Sequence, residues 1–341
     1  MKILQTMAGG VHGGAETFFE DLVQSFARAG IEQHVVTRPA PARVQTLQSA
    51  GCAVTTLPFA GLLDFYTPLR LRQVAKNVRP DVVLGWMNRA CASLPRGPHV
   101  NVGRLGGYYN LKYYQKCDAL ICNTRDIRDY VVREGWPAQK AYYVPNFCPE
   151  GPEPAIPRTS FDTPAGAKIL LILARLEAVK GIDIAIKALA HVPDAVLWIA
   201  GEGSLQQALA DLAQTQGVAA RVRFLGWRND RAALLRAVDA VLVPSRHEPF
   251  GNVVVNAWVH KVPILATASE GPRALIAHGD DGLLTPLDDC DAFASAIRTV
   301  LSEPGLAERL VEGGARKAAA EYSESAVRAQ YLAVFQGLLT P

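Results

Sequence analysis

Arg175 and Lys180 stand five residues apart in the stretch Leu173-Ala174-Arg175-Leu176-Glu177-Ala178-Val179-Lys180-Gly181, where an apolar run gives way to a helix-like segment. A strand-to-helix turn of this kind can bring both cations to one helix N-terminus, which itself carries partial positive charge. Arg offers a planar bidentate fork and Lys a compact point charge, so together they could clamp a diphosphate. Fixed cations at such a place lower the barrier to any reaction in which a phosphate departs with growing negative charge.

A second chemical stretch lies at 241–263. Five uncharged residues, Val241 to Ser245, run into the polar turn Arg246-His247-Glu248-Pro249-Phe250-Gly251-Asn252, and an apolar helix-like segment follows. Gly251 lets the backbone approach a ligand, and Asn252 is predicted to cap the helix. With a phosphate drawn to the helix mouth, the neighbouring Glu248 carboxylate suits sugar hydroxyls better than phosphate. Two further turns, Ala200-Gly201-Glu202-Gly203 and Gly226-Trp227-Arg228, end strands on the side where open α/β sheets bind nucleotides. Trp227 or Arg228 could stack on a base.

The first half carries softer signals. Gly9-Gly10-Val11-His12-Gly13-Gly14-Ala15-Glu16 is a glycine-rich loop opening a helix, able to take a close-approaching anion. Its spacing is not G-x-G-x-x-G, and His12 reads as a solvent-facing loop residue. At 81–89 a buried strand runs into a turn holding Trp86, Asn88 and Arg89. Residues 104–116 gather four tyrosines, three cations and two glycines, among them Arg104 and Tyr108. Such residues suit stacking on sugar faces or contact with an anionic headgroup, and packing between domains would use the tyrosines equally well.

The elements that must position these groups follow from the apolar pattern. Strand-like segments recur at 2–7, 33–37, 53–57, 81–86, 99–103, 118–122 and 141–144, with helix-like stretches at 15–29, 68–78 and 124–134 between them. A second alternating series covers 168–174, 195–200, 221–225, 239–243, 262–266 and 282–285. Alternation of this kind predicts parallel sheets with helices on both faces. The Pro-rich tract between the two series reads as a linker, which divides the chain into a first domain at 1–150, a linker at 151–166 and a second domain at 167–320. A terminal helical stretch, 321–341, remains.

At 341 residues each half can bury its own core. Six scattered cysteines without C-x-x-C spacing fit free thiols in a reducing cytoplasm. The start is too short and too soon followed by glycines for a signal peptide, and no run approaches a membrane span. Charge is uneven: residues 1–150 hold 17 Lys/Arg against 11 Asp/Glu, a net +6 within a chain of net +3. A basic first half admits an anionic acceptor or phospholipid surface nearby, and equally an ordinary solvated face.

Ser245-Arg246-His247-Glu248-Pro249-Phe250-Gly251 before an apolar helix resembles the signature of the family 4 retaining glycosyltransferases, of bacterial cell-surface glycan type. Gly13-Gly14-Ala15-Glu16 is similar to that family's loop facing the donor. The resemblance implies an α/β protein of the GT-B fold, with two facing Rossmann-like domains, parallel sheets and an interdomain cleft. It implies that the final helix crosses back to the first domain. It further implies catalytic roles for Arg175, Lys180 and Glu248, with donor contacts from Gly13, Gly14, Gly201, Arg228, Phe250, Gly251, Asn252, Val253 and Asn256. Asn88, Arg89, Arg104 and Tyr108 are the acceptor-side candidates. No metal or cofactor is expected; a UDP- or GDP-linked sugar would be substrate, and a glycan or lipid-linked hydroxyl the acceptor, as in lipopolysaccharide assembly. The expected location is the cytoplasm, peripheral to the inner face of the cell membrane, and no nucleic-acid partner is expected.

Two positions depart from the family pattern. The second acid of its donor motif, which holds the ribose, is Asn256 here, and Ala274 stands where relatives often carry Glu. An amide still donates and accepts but loses a charge-assisted bond. These changes keep open a donor-binding relative without turnover, and a sugar-nucleotide epimerase on the same fold is a further alternative. A dehydrogenase would need G-x-G-x-x-G and an acid after the second strand, and neither is present.

Overall fold

The computed structural model describes every residue except His12, Leu62, Leu63, Pro152 and Pro341. The chain forms two compact units, one of Met1–Phe147 together with Ser323 onward, the other of Cys148–Tyr322.

The first unit alternates strand and α-helix except between β5 and β6, which a 3-10 turn at Leu111–Tyr114 connects: β1 (Lys2–Met7), α1 (Gly14–Arg28), β2 (Glu32–Thr37), α2 (Pro41–Ser49), β3 (Ala53–Thr56), α3 (Tyr66–Val78), β4 (Val82–Trp86), α4 (Met87–Ala92), β5 (Val100–Leu105), β6 (Ala119–Cys122), α5 (Arg125–Arg133) and β7 (Ala141–Tyr143). Its sheet is parallel, in the order β3-β2-β1-β4-β5-β6-β7 among the described residues. Strands such as Val82-Val83-Leu84-Gly85-Trp86 are buried throughout, because helices cover both faces of a parallel sheet. The order reverses between β1 and β4, so the loops leaving those two strands diverge and open a crevice at their carboxyl ends. The glycine-rich loop and the start of α4, which carries Asn88, lie there.

The second unit repeats the plan with β8 (Lys168–Leu173), α6 (Ile182–Leu189), β9 (Ala195–Ala200), α7 (Gln206–Thr215), β10 (Val222–Gly226), α8 (Arg231–Leu235), β11 (Ala240–Val243), α9 (Asn252–Val259), β12 (Ile264–Thr267), α10 (Glu270–Leu275), β13 (Leu283–Thr285), α11 (Cys290–Ser302) and α12 (Leu306–Glu321). Its parallel order, β10-β9-β8-β11-β12-β13, places the switch point between β8 and β11. The exits of those two strands carry Arg175, Lys180 and Glu248.

Among its described residues the Pro-rich tract takes no regular structure, but it packs on the second unit rather than spanning freely. Ile156 N–H donates to Ala233 O at 3.3 Å. Arg158 reaches Ala237 O and the Asp239 carboxylate, and Phe161 lies edge-on to Trp198 at 5.1 Å. The division between units therefore falls at Phe147–Cys148, ahead of the prolines. At the far end the helical stretch breaks at Tyr322-Ser323. The last helix, α13 (Glu324–Leu339), belongs to the first unit. Its Val327, Tyr331 and Phe335, one per turn, are fully buried with Phe26 of α1. Burial of Val327 and Phe335 contributes about 1.5–3 kcal/mol each. An Arg28–Glu324 ion pair at 2.8 Å marks the edge of that contact.

Candidate active site

In the second unit the site is built where the exits of β8 and β11 meet. After β8 the chain passes Arg175, makes a single 3-10 turn at Ala178–Lys180 and enters α6 through Gly181. Gly181 has φ 61°, and a Cβ there would lie 1.9 Å from Pro244 O. Only glycine lets this turn press so closely on the end of β11. The result is that Lys180 Nζ stands 2.5 Å from Glu248 Oε2, with both side chains largely withdrawn from solvent (16% and 18% exposed).

Arg246, which the sequence placed in the turn without a role, holds this arrangement together. Its guanidinium donates to both Asp183 carboxylate oxygens at 2.8 Å, to Ala178 O at 2.8 Å and to Asp288 at 2.6 Å. Its own N–H reaches Val179 O at 2.9 Å. Hydrogen bonding from Arg246 holds the Asp183 carboxyl below the usual range, and Asp183 in turn raises the guanidinium. No spacing in the sequence announces a pair 63 residues apart.

The backbone of Glu248 is fixed from the α10 side. Gly271 N–H donates to Glu248 O at 2.7 Å, while Glu248 N–H donates to Glu270 Oε2 at 3.3 Å. His247 Nδ1 lies 3.0 Å from the other Glu270 oxygen. Burial pushes the Glu270 carboxyl up, but bonds from its own backbone, from His247 and from Glu248 N–H outweigh that and leave it lowered.

Several expected contacts are revised. Gly251, at φ 93°, is itself the N-cap of α9, and Asn252 is the first helical residue rather than the cap. The Phe250 side chain is 3% exposed and packs against Tyr322, so only its backbone could meet a donor. Val253 is half-buried against the same core. Asn256 lies one turn beyond Asn252 at 9% exposure, and its carbonyl accepts from His260. Arg175 and Lys180 do not share a partner: Arg175 is half-exposed and pairs with Glu177 at 2.6 Å. Gly201 follows β9 and donates to Gly226 O at 2.8 Å. Arg228 is held bidentate by Asp230 and over the Phe161 ring at 5.4 Å, a local engagement that stacking on a base would have to displace.

In the first unit the glycine loop is closed around the protein's own anion. Glu16 Oε1 accepts from Gly10 N–H at 2.8 Å, and a Cβ on Gly9 or Gly13 would sit 2.3 Å from a Glu16 oxygen. The Glu16 carboxylate thus lies beside Gly9, Gly10 and Gly13, where the composition suggested an approaching anion. Gly13 caps α1 and Gly14 begins it; His12 lies outside the described residues. Arg43, buried and missed by the sequence reading, anchors the loop through Gly10 O and Val11 O at 2.7 and 3.1 Å and pairs with Glu20 at 2.8 Å.

The four acceptor-side candidates separate. Asn88 follows Met87, whose φ of 60° is a strained conformation for a side-chain-bearing residue, and its Oδ1 is buried with no partner among the described residues. Arg89 reaches Phe59 O at 3.3 Å. Tyr108 donates to Asp126 and meets Tyr130 edge-on at 5.4 Å. Arg104 is no surface cation: at 1% exposure it lies about 5 Å from the rings of Phe18 and Trp86 and donates to Asn146. Two aromatic faces and an amide compensate its burial, so it cannot meet an acceptor from this position. Among the described residues, no three His, Cys, Asp or Glu side chains are grouped to hold a metal ion, and no helix is long and apolar enough to cross a membrane.

Comparison with known proteins covers both units. A model of glycosyltransferase family 4 matches residues 12–149, and a model of the group 1 glycosyl transferases matches 157–317. The chain is 34% identical to the lipopolysaccharide core biosynthesis glycosyltransferase LpsE of Rhizobium meliloti (strain 1021), over 95% of this chain and 96% of that one. It is 33% identical to LpsD of the same organism over 98% of both. Among solved structures, Anabaena HepE in complex with UDP and glucose superimposes with a TM-score of 0.86 at 21% identity, covering 99% of this chain and 100% of that one.

Proposed function

This chain belongs to glycosyltransferase family 4 and has its GT-B fold, and from that premise we propose that it transfers a sugar, with retained anomeric configuration, from a nucleotide-diphosphate donor to a hydroxyl of a lipopolysaccharide-core or similar cell-surface glycan. The observation that carries this reading is the pairing of Lys180 with Glu248 at the β8/β11 switch point, beside the N-terminus of α9. A cation, a carboxylate and helix N–H groups at one strand-end crevice supply what a sugar diphosphate presents: a charged leaving group and neutral hydroxyls.

In this reading Lys180 exchanges Glu248 for the diphosphate, Arg175 joins it, and Glu248 turns to the donor sugar's hydroxyls. The bond from the anomeric carbon to the phosphate oxygen breaks with its electrons passing to phosphate. The acceptor oxygen attacks the same face of the sugar, and its proton passes to the departing phosphate. Lys180, Arg175 and the Gly251 and Asn252 amides stabilise the charge that develops. The cations take the part a metal ion plays elsewhere, so the reaction is expected to proceed without one.

Asn256 favours one second reading, a relative that binds the donor without turning it over. The deciding experiment screens UDP- and GDP-sugars for thermal stabilisation. The stabilising donor is then incubated with a lipopolysaccharide-core acceptor, with and without EDTA, and the product's anomeric configuration is read by NMR. Retained configuration and an EDTA-insensitive rate are expected. An inverted product would refute retention, and stabilisation without product would favour the second reading.

A further inference from the structure

The imidazole of His247, the residue before Glu248, is held more firmly than a side chain 49% exposed requires. On the β8 side of its turn, the Arg246 and His247 N–H groups both point to Val179 O, at 2.9 and 3.4 Å. On the other side Gly271 N–H reaches Glu248 O at 2.7 Å, and a Cβ on Gly271 would lie 2.2 Å from Phe250 O. Backbone from two elements thus grips the turn, and Glu270 adds a side chain. One of its carboxylate oxygens accepts from Glu248 N–H at 3.3 Å, and the other faces His247 Nδ1 at 3.0 Å.

That last contact decides which ring nitrogen carries the hydrogen. A carboxylate near neutral pH is ionised and only accepts, so Nδ1 must be the donor. A neutral imidazole then keeps its lone pair on Nε2. Nε2 has no partner among the described residues. A phosphate oxygen also only accepts, so it has nothing to offer this nitrogen; Lys180 and the N-terminus of α9 suit it instead. A sugar hydroxyl can donate to Nε2, and the sugar is what the neighbouring Glu248 turns to in the proposed reaction. Resting on that reading, we propose that His247, locked by Glu270 with its hydrogen on Nδ1, accepts through Nε2 from one hydroxyl of the donor sugar. The sugar is thereby selected by where that hydroxyl stands. His247 touches the substrate, and Glu270 is a positioning residue that acts through it.

The test measures Kd by calorimetry for the nucleotide sugar that stabilises the protein, its monodeoxy and deoxyfluoro analogues, and the bare nucleoside diphosphate. In the wild type, loss of one particular hydroxyl should weaken binding by about tenfold or more. Its fluoro replacement should bind as poorly, because fluorine cannot donate. His247→Ala should weaken the parent sugar by a similar factor, ignore the loss of that hydroxyl, and bind the bare diphosphate as the wild type does. Nitrogen NMR of labelled histidines at mildly alkaline pH reads the lock without relying on a variant's folding. Wild-type His247 should show a bare Nε2. In Glu270→Gln the amide oxygen takes the Glu248 N–H and the NH2 group faces Nδ1, so the hydrogen should move to Nε2. A wild-type ring protonated on Nε2, or a fluoro analogue that binds like the parent, would overturn the proposal. So would a His247→Ala variant that responds to every hydroxyl as the wild type does, or that loses the bare diphosphate equally. A protein that binds its donor with the expected pattern but transfers nothing would lose the sugar-transfer reading and keep this one.

Discussion

Lys180 Nζ and Glu248 Oε2 lie 2.5 Å apart, joining the turn after β8 to the turn after β11 although 68 residues separate them in the chain. Each neutralises the other, so Lys180 is held in place at little electrostatic cost. Lys180→Ala should lower kcat/KM by about 10²–10³, the range seen when one preorganised donor to a developing oxyanion is removed. Glu248→Gln should fall comparably. The double variant should lose much less than the product of the two, because paired residues are not additive. Steady-state transfer rates for the three variants check this; strict multiplicativity would show that the pair does not act as a unit.

Asn256 stands where the family's donor motif ends in an acid. Asn256→Glu should tighten donor binding by about tenfold or more, since a hydrogen bond to a charged group is worth about 1.5–3 kcal/mol. At 9% exposure the new carboxylate is poorly hydrated when no donor is present. The free variant should therefore melt below the wild type and the donor-bound variant recover the loss. Calorimetry and melting with and without donor measure both; unchanged affinity would remove Asn256 from the ribose site.

Arg246→Ala breaks the fork to Asp183 and the bonds to Ala178 O and Asp288. A loss of about 1–3 kcal/mol is expected, because the site is one-third exposed and solvent screens part of the interaction. The Asp183 carboxyl is lower folded than unfolded, so its contribution is complete above the ordinary value of 3.8 and is lost as pH falls through the folded value. The melting difference between variant and wild type should be steady near neutrality and close in acid below 3.8. A gap that widened in acid would contradict this linkage.

Gly181→Ala combines a positive φ with a collision against Pro244 O. It should destabilise by several kcal/mol and reduce donor binding with stability. Gly217 also has a positive φ, 67°, but a Cβ there would meet nothing within 4 Å, so Gly217→Ala should cost only about 1 kcal/mol. Chemical denaturation of the two variants separates the backbone term from the steric one.

The strands were legible because helices cover both faces of each sheet, which makes Val82–Trp86 and Ala195–Ala200 almost wholly apolar runs. The site was legible where chain direction alone decides it: Lys180 and Glu248 each follow a strand, and parallel strands deliver their exits to one edge. What escaped depended on distant partners. Arg104 sits in a stretch that reads as polar surface, yet Phe18, Trp86 and Asn146 come from three other parts of the chain to enclose it. The glycines at 9–14 signal close approach, but not that Glu16 is what approaches. Asn252 is a good capping residue by type, and the positive φ at the cap position gave that place to Gly251 instead.

The return of α13 to the first unit sets an order of events during synthesis. Residues 148–322 form an uninterrupted block and are complete when Tyr322 leaves the ribosome. The unit translated first must still wait for Val327, Tyr331 and Phe335, with Phe26 uncovered in the meantime. A nascent chain arrested between Tyr322 and Val327 would therefore hold a finished later unit and an earlier unit still missing one wall.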